Sequence, residues 1–317
     1  MPRTRSPRRG SMQFWPRKRA KRPYARVRKW AERKEPRLLA FAGYKAGMTH
    51  IQIRDNSQKT TKGEIVSEAV TIIECPPIKP LAIRFYKKDG EIFKVIGQLP
   101  AKKVEKELQR KSNIPKKGLE PEEFDDLRLL VYTQPKLTGI GKKKPEIFEI
   151  ALSGEKKNKI EQAKAFLEKD IKIEDVFKEG QKVDVHAITK GKGFQGTVKR
   201  FGVKIRQHKA EKTKRGVGSL GPWTPKRVAF SVPQPGKMGY HMRTEYNRWL
   251  MAITKKPQDL NQKGGITHYG LLKNSTVLLK GSVSGPKKRL VILTEPIRKE
   301  TKIMQPEIVY VSKESKQ

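Results

Sequence analysis

The run GKGFQGTV places Gly191, Gly193 and Gly196 in the G-x-G-x-x-G pattern that cradles phosphates in dinucleotide-binding and kinase folds. In the dinucleotide fold such a loop opens directly into a helix, so that the helix N-terminus faces the pyrophosphate. The residues that follow here, TVKRFGVKI, are β-branched and basic and do not predict that helix. A kinase would also carry HRD and DFG elements, and neither occurs. His50, His186, His208, His241 and His268 show no metal-ligand spacing such as HExxH, and no GxSxG nucleophile turn is present. Cys75 is the single cysteine, which excludes an internal disulfide and predicts an inert thiol in the core or at a strand end. No catalytic constellation, cofactor or metal site is expected, and a nucleotide-using enzyme built on Gly191–Gly196 is the disfavoured alternative.

Phosphate binding by bulk charge is the chemistry these residue types do support. Lys and Arg number 72 against 32 Asp and Glu, a formal net charge of +40. A free globular protein with that imbalance repels itself and attracts polyanions. The excess is concentrated. Residues 190–248 hold fifteen Lys or Arg against Glu211 and Glu245, with nine glycines and four prolines that exclude a long helix. Ordering such a segment costs roughly 1–2 kcal/mol per residue in backbone entropy, and it has few large aliphatics to bury, so an external polyanion is expected to order it. The candidate nucleic-acid contacts are Lys190, Lys192, Lys199, Arg200, Arg206, His208, Lys209, Lys214 and Arg215, followed by Lys226, Arg227, Lys237, His241, Arg243 and Arg248. Residues 1–37 form a second basic arm, with fifteen Lys or Arg against Glu32 and Glu35. Phe14, Trp15, Tyr24 and Trp30 are interleaved with its cations, as suits stacking on bases. Its candidates are Arg17, Lys18, Arg19, Arg22, Arg26 and Arg28, with Lys45 just beyond it. A basic tail or localisation signal is the plainer alternative for this arm. Trp223, in GSLGPWTPKR, either plugs a local minicore or forms an aromatic fingertip on the second arm.

The elements that position these arms are predicted to be β-rich. Leu38–Asp55 contains two strand-like segments around a Gly43–Gly47 turn, and Ile65–Glu74 is a longer strand, after which Pro76, Pro77 and Pro80 mark a boundary. Residues 79–184 hold twenty-five basic and nineteen acidic residues, an ordinary globular surface. Strands are predicted at Leu81–Tyr86, Ile92–Gly97, Leu127–Thr133 and Ile147–Leu152, and helices at Val104–Lys111, Pro121–Leu127 and Glu155–Glu168, the last capped from Ser153. Lys182–Thr189, Thr276–Lys280 and Leu290–Thr294 return the chain to strand. One small β-barrel (38–78 and 176–300), interrupted by an α/β insertion (79–175) and by the basic extension (190–248), accounts for this spacing, with residues 301–317 as a C-terminal tail. Apolar runs such as Leu38–Ala42 are far too short for a transmembrane helix, and the basic N-terminus lacks the apolar centre of a signal peptide, so a cytoplasmic protein is expected.

Six stretches carry a closer likeness: FWPRKRA near the start, FAGYKAGMTHI (41–51), TKGKGFQGTVKRFG (189–202), SLGPWTP (219–225), GYHMRTEYN (239–247) and LLKGSV (278–283). In that order the chain resembles the universal large-subunit ribosomal protein number three family, of archaeal and eukaryotic type. The resemblance implies a closed six-stranded barrel of the translation-protein type, an α/β subdomain and two extensions that penetrate RNA. It further implies a non-enzymatic constituent of the large subunit that aids its assembly. The partners would be rRNA and neighbouring ribosomal proteins, with no membrane, small-molecule substrate or homo-oligomer. In relatives the tryptophan matching Trp223 lies at the tip of the internal extension, toward the peptidyl-transferase centre. Two positions depart from the family pattern: Lys214 stands where eukaryotic relatives often carry histidine, and Ser284 replaces a common proline in a GSVPGP-like turn. A general RNA binder outside the ribosome is the remaining rival.

Overall fold

The computed structural model describes residues 7–56, 60–102, 104–112, 118–210, 212–298 and 305–314; the first six residues of the basic arm and parts of the predicted tail lie outside them. Among the described residues, thirteen strands and two α-helices follow in chain order. They are β1 (Ala40–Arg54), β2 (Ile65–Glu74), β3 (Lys79–Asp89), β4 (Ile92–Pro100), β5 (Asp126–Tyr132), β6 (Ile147–Ala151), α1 (Lys156–Leu167) and β7 (Lys182–Ile188). Then come β8 (Phe194–Gln195), α2 (Thr197–Phe201), β9 (Gly236–Lys237), β10 (Met242–Thr254), β11 (Thr276–Lys280), β12 (Leu290–Thr294) and β13 (Glu307–Val311). The protein is mainly β. It divides into two compact units, one made of residues up to Arg22 with Ile188–Met242, the other of Pro23–Ala187 with Arg243 onward.

The larger unit contains both major sheets. Its seven-stranded sheet runs β12-β7-β10-β11-β2-β1-β13, and β12 also pairs with β1. β1 is long enough to serve three neighbours: Tyr44–Arg54 pair with β2, Ala40–Tyr44 with β12, and Ile51–Arg54 with β13. Residues 79–151 supply a four-stranded antiparallel sheet, β4-β3-β5-β6. Helix α1 packs there through buried Ala163, with Ile160, Phe166 and Leu167 partly covered, as its spacing predicts. Phe41, Ile72, Phe85, Ile150, Val185 and Ile292 belong to one continuous core that spans both sheets. Cys75 follows β2, fully buried, and burial foremost, then the Glu74 charge, pushes its thiol far above the usual range.

Several local predictions are corrected. Gly43 and Gly47 make no turn; β1 passes straight through them. A Cβ on Gly43 would lie 2.5 Å from Ile73 Cγ2 and 2.8 Å from the Glu74 carbonyl oxygen, so glycine lets β2 approach, and Gly47 sits at a register shift. The helix expected at 104–111 is a 3-10 turn, Lys106–Arg110, with only Leu108 buried to hold it. No helix forms at 121–127. Asp125 Oδ2 accepts the Lys88 backbone N–H at 2.8 Å, and the alternating Leu127, Leu129 and Val131 continue as β5. Ser153 does not cap α1, whose N-cap residue is Glu155; its hydroxyl donates to the Glu35 carbonyl at 2.5 Å instead. A one-turn helix, α2, does follow Gly196, contrary to the β-branched reading, and ends at Gly202 with φ +68°. Strands β10 and β13 were not expected. Only Leu250 and Met251 of β10 are fully buried, which leaves no period-2 pattern to read.

The second half of the basic arm is ordered by protein. Tyr24 and Ala25 are buried, Arg289 donates to the Pro23 carbonyl at 3.1 Å, and Arg33 and Arg37 both reach the buried Glu295 carboxylate, at 3.5 and 3.4 Å.

Candidate nucleic-acid interface

The smaller unit begins where β7 ends, as a short two-stranded stem. Thr189 N–H donates to the His241 carbonyl at 3.0 Å, Lys192 N–H to Met238 at 2.9 Å and Met238 N–H to Gly193 at 2.8 Å. Gly239 is obligatory in this stem. Its φ is +76°, and a Cβ there would lie 2.0 Å from the Lys190 carbonyl oxygen. Beyond the stem, Thr197 is buried and donates to the Arg215 carbonyl at 3.0 Å, and Arg206 N–H donates to the Lys214 carbonyl at 3.0 Å, so residues 197–215 fold back on themselves.

The N-terminal residues of the same unit run alongside this extension. Arg8 donates to the Ser231 carbonyl at 2.6 Å, and Ala20 N–H donates to the Tyr240 carbonyl at 2.8 Å. Trp15 meets Phe230 with ring centroids 5.2 Å apart, and the Arg17 and Arg19 guanidiniums lie 4.6 and 5.5 Å from the Phe201 and Tyr240 rings. These contacts are hydrogen bonds, stacking and cation–π pairs. Ion pairs have little part in them, because the unit contains 22 Lys and Arg and one acidic residue, Glu211, which lies outside the described residues. Arg200 also approaches the Phe201 ring, at 4.9 Å; burial first and repulsion by Arg17 second lower its basicity.

All the predicted contact residues except Arg26, Arg28, Lys45, Arg243 and Arg248 are brought together in this unit. Lys18, Arg19, Arg22, Lys190, Lys192, Lys199, Arg206 and His208 are exposed there, and so are Lys209, Lys214, Arg215, Lys226, Arg227 and Lys237. Arg17 and Arg200 are half-buried around Phe201. His241 is buried in the stem. It is 8% exposed, and its Nδ1 lies 2.8 Å from the Lys18 carbonyl oxygen, so the ring pins the arm to the stem. In the larger unit, Arg26 and Arg28 are exposed, Arg243 is half-buried, and Arg248 is paired with Glu245 at 2.9 Å. Lys45 is 8% exposed, and its ammonium donates to the Val283 carbonyl and, at 3.2 Å, to that of Gly285. The turn it holds includes Ser284, whose N–H and hydroxyl both donate to Glu245, at 2.9 and 2.6 Å. A proline lacks that N–H, so serine fixes the turn by a different route.

Trp223 is 83% exposed, which removes the minicore reading. It stands in an unbroken run of exposed residues, 219–230, with the Lys226 ammonium 5.7 Å from its ring. Arg8, Phe201, Phe230 and Tyr240 were not singled out from sequence, although each aromatic among them lies within a few residues of a cation. Among the described residues no group of three or more His, Cys, Asp or Glu is placed to hold a metal ion, and no helix is long and apolar enough to cross a membrane.

A β scaffold carrying a nearly acid-free, glycine-rich unit with exposed aromatics defines a structural protein with cationic arms. The family described as Ribosomal protein L3 matches residues 1–118 and 121–317, and the chain belongs to that family. It is 48% identical to the large ribosomal subunit protein uL3 of Methanocaldococcus jannaschii, covering 98% of this chain and 97% of that one. It is 44% identical to uL3 of Methanothermobacter thermautotrophicus (100% and 99% covered) and 44% identical to uL3 of Picrophilus torridus (98% and 97%). Membership places the chain among structural ribosomal proteins and not among enzymes.

Proposed function

We propose that this protein is a structural constituent of the large ribosomal subunit in the cytoplasm, binding rRNA chiefly through the smaller, cationic unit and contacting neighbouring ribosomal proteins as a single copy. In this reading β1, β2, β11, β10, β7 and β12 close as a six-stranded barrel of the translation-protein type that seats on folded RNA. The insertion (79–175) forms a separate subdomain, and the two basic segments (1–37 and 190–248) fill crevices where RNA helices would otherwise repel one another. Trp223 is the aromatic tip directed toward the peptidyl-transferase centre, and the arms help early assembly by neutralising phosphates. The observation that carries this reading is the 22-to-one excess of cations in a unit whose 219–230 segment is wholly exposed, on a chain that matches the family along its length. Released counterions supply much of the driving force, each phosphate contact contributing about 0.7–0.9 to the salt slope.

Sucrose-gradient sedimentation of a tagged full-length chain provides the test. It is expected to travel with the large subunit through a moderate-salt wash; sedimentation as free protein would refute the assignment. Arg215→Gln should weaken rRNA binding in a salt-dependent manner, lowering the slope of log affinity against log salt by about 0.7–0.9. A loss unchanged by salt would contradict the phosphate role.

A further inference from the structure

Trp15 and Phe230 come from opposite ends of the sequence yet meet at 5.2 Å with their rings inclined at 42°. Neither is hidden by the contact: Trp15 remains 47% exposed and Phe230 65%. An aromatic pair assembled across more than two hundred residues and left open contributes little as a core. Its surroundings are specific. Arg8 is fixed beside Phe230 by its bond to the Ser231 carbonyl at 2.6 Å. Two residues after Trp15, the Arg17 guanidinium lies 4.6 Å from the Phe201 ring, which Arg200 also approaches at 4.9 Å. Arg200 donates to the Gln234 carbonyl at 2.8 Å, and its buried Nε has no hydrogen-bond partner in the structure. The backbone is shaped to this cluster. A Cβ on Gly10 would lie 2.4 Å from the Phe201 ring, and one on Gly236 would lie 2.6 Å from the Arg200 guanidinium. Two like charges share one ring, and the unit's single carboxylate residue is Glu211.

We propose that Trp15 and Phe230 form a stacking platform for one unpaired RNA base, whose flanking phosphates are held by Arg8, Arg17 and Arg200, so that the N-terminal arm and the internal extension jointly build a single-nucleotide site. The exposed π-faces match a base that is out of the helical stack, because a paired base offers no free face. The guanidiniums match its phosphodiester, and that charge complementarity selects nucleic acid over an apolar peptide. This assignment rests on the RNA-binding reading and goes beyond it by naming single-stranded RNA as the occupant at this place.

The test is equilibrium binding of the full-length chain to a single-stranded oligoadenylate, to a fully paired RNA duplex of the same length, and to inorganic phosphate. Phe230→Ala or Trp15→Ala should weaken oligoadenylate binding about tenfold and leave duplex binding within twofold. The double variant should be no more than about twofold worse than the weaker single, because both rings serve one base. Phe230→Leu keeps the apolar contact without the ring and should show the same selective loss, which covers the case in which alanine disturbs folding. Arg17→Gln should weaken both RNAs, with a lower salt slope. Equal losses for duplex and single strand, additive effects of the two rings, or full competition by millimolar inorganic phosphate would overturn the site. A wild-type chain that sediments with the large subunit while Phe230→Leu loses nothing would sink this inference alone.

Discussion

At the scale of single residues, burial separates two kinds of lysine that look alike in the sequence. Lys45 lies in a stretch shared with the family and was expected on RNA, yet its ammonium holds the Val283 and Gly285 carbonyls inside the fold. Lys45→Met preserves most of the side-chain volume but leaves those carbonyls without their donor, a loss of about 1–3 kcal/mol. Urea denaturation should show that destabilisation while the salt slope of RNA binding stays unchanged. A lower slope with unchanged stability would return Lys45 to the interface. Trp223 is the opposite case. With 83% of its surface exposed, Trp223→Ala should alter stability by no more than about 0.5 kcal/mol, measured by calorimetry, because exposed positions away from caps and networks rarely contribute more. Neither outcome was legible from residue type, since a lysine between Tyr44 and Ala46 and a tryptophan between two prolines disclose their neighbours only when distant segments come together.

At the scale of elements, buried polar side chains tie β7, β10 and β12 together. His186 is buried there, with Nε2 3.1 Å from the Thr294 hydroxyl and Nδ1 3.0 Å from that of Thr244. Asp184 accepts the N–H groups of Asn247 at 2.8 Å and Ile297 at 3.1 Å. Burial lowers the His186 pKa below the ordinary value of 6.5, with Asp184 opposing that shift more weakly. The folded state therefore keeps His186 neutral, while the unfolded chain takes up a proton as pH falls below about 6.5. Stability fully present above pH 6.5 is lost as pH falls from there toward the lowered folded-state pKa. Melting at pH 7.5 and 5.5 should show a larger drop for wild type than for His186→Asn, and equal drops would exclude the linkage. Most strands of this framework were legible because their apolar residues alternate or cluster, as in Ile65–Glu74 and Leu290–Thr294. β1 was misread at its glycines, since close approach by β2 and a tight turn call for the same residue. β10 was missed because its faces are half-covered and leave no alternation to see.

At the scale of the whole molecule, charge is segregated by unit. Carboxylates of the larger unit neutralise many of its cations, as in Arg84–Glu149 at 2.6 Å and Lys280–Glu68 at 2.6 Å, and its main hydrophobic core spans both sheets. The composition of residues 190–248 offers few large aliphatics for apolar burial. It could not foretell that residues 8–20 would lie along that segment through carbonyl bonds and ring contacts, because no pattern in either stretch encodes the other. A deletion tests this division of labour. Thr189 and His241 already face each other across the stem, joined by Thr189 N–H to the His241 carbonyl at 3.0 Å and His241 N–H to the Thr189 hydroxyl at 3.1 Å. Replacing residues 190–240 with an Asn-Gly turn, and removing residues 1–22, should therefore leave β7 and β10 joined as an ordinary hairpin. The shortened chain is expected to melt cooperatively, within about 2–4 °C of the full-length protein, the shift that about 1 kcal/mol produces in a chain of about 250 residues. Its RNA affinity should fall steeply and lose most of its salt dependence, since the cations that release counterions have gone. A variant that binds the fluorescent probe ANS and melts without a transition would show that the cationic unit is needed to complete the β framework.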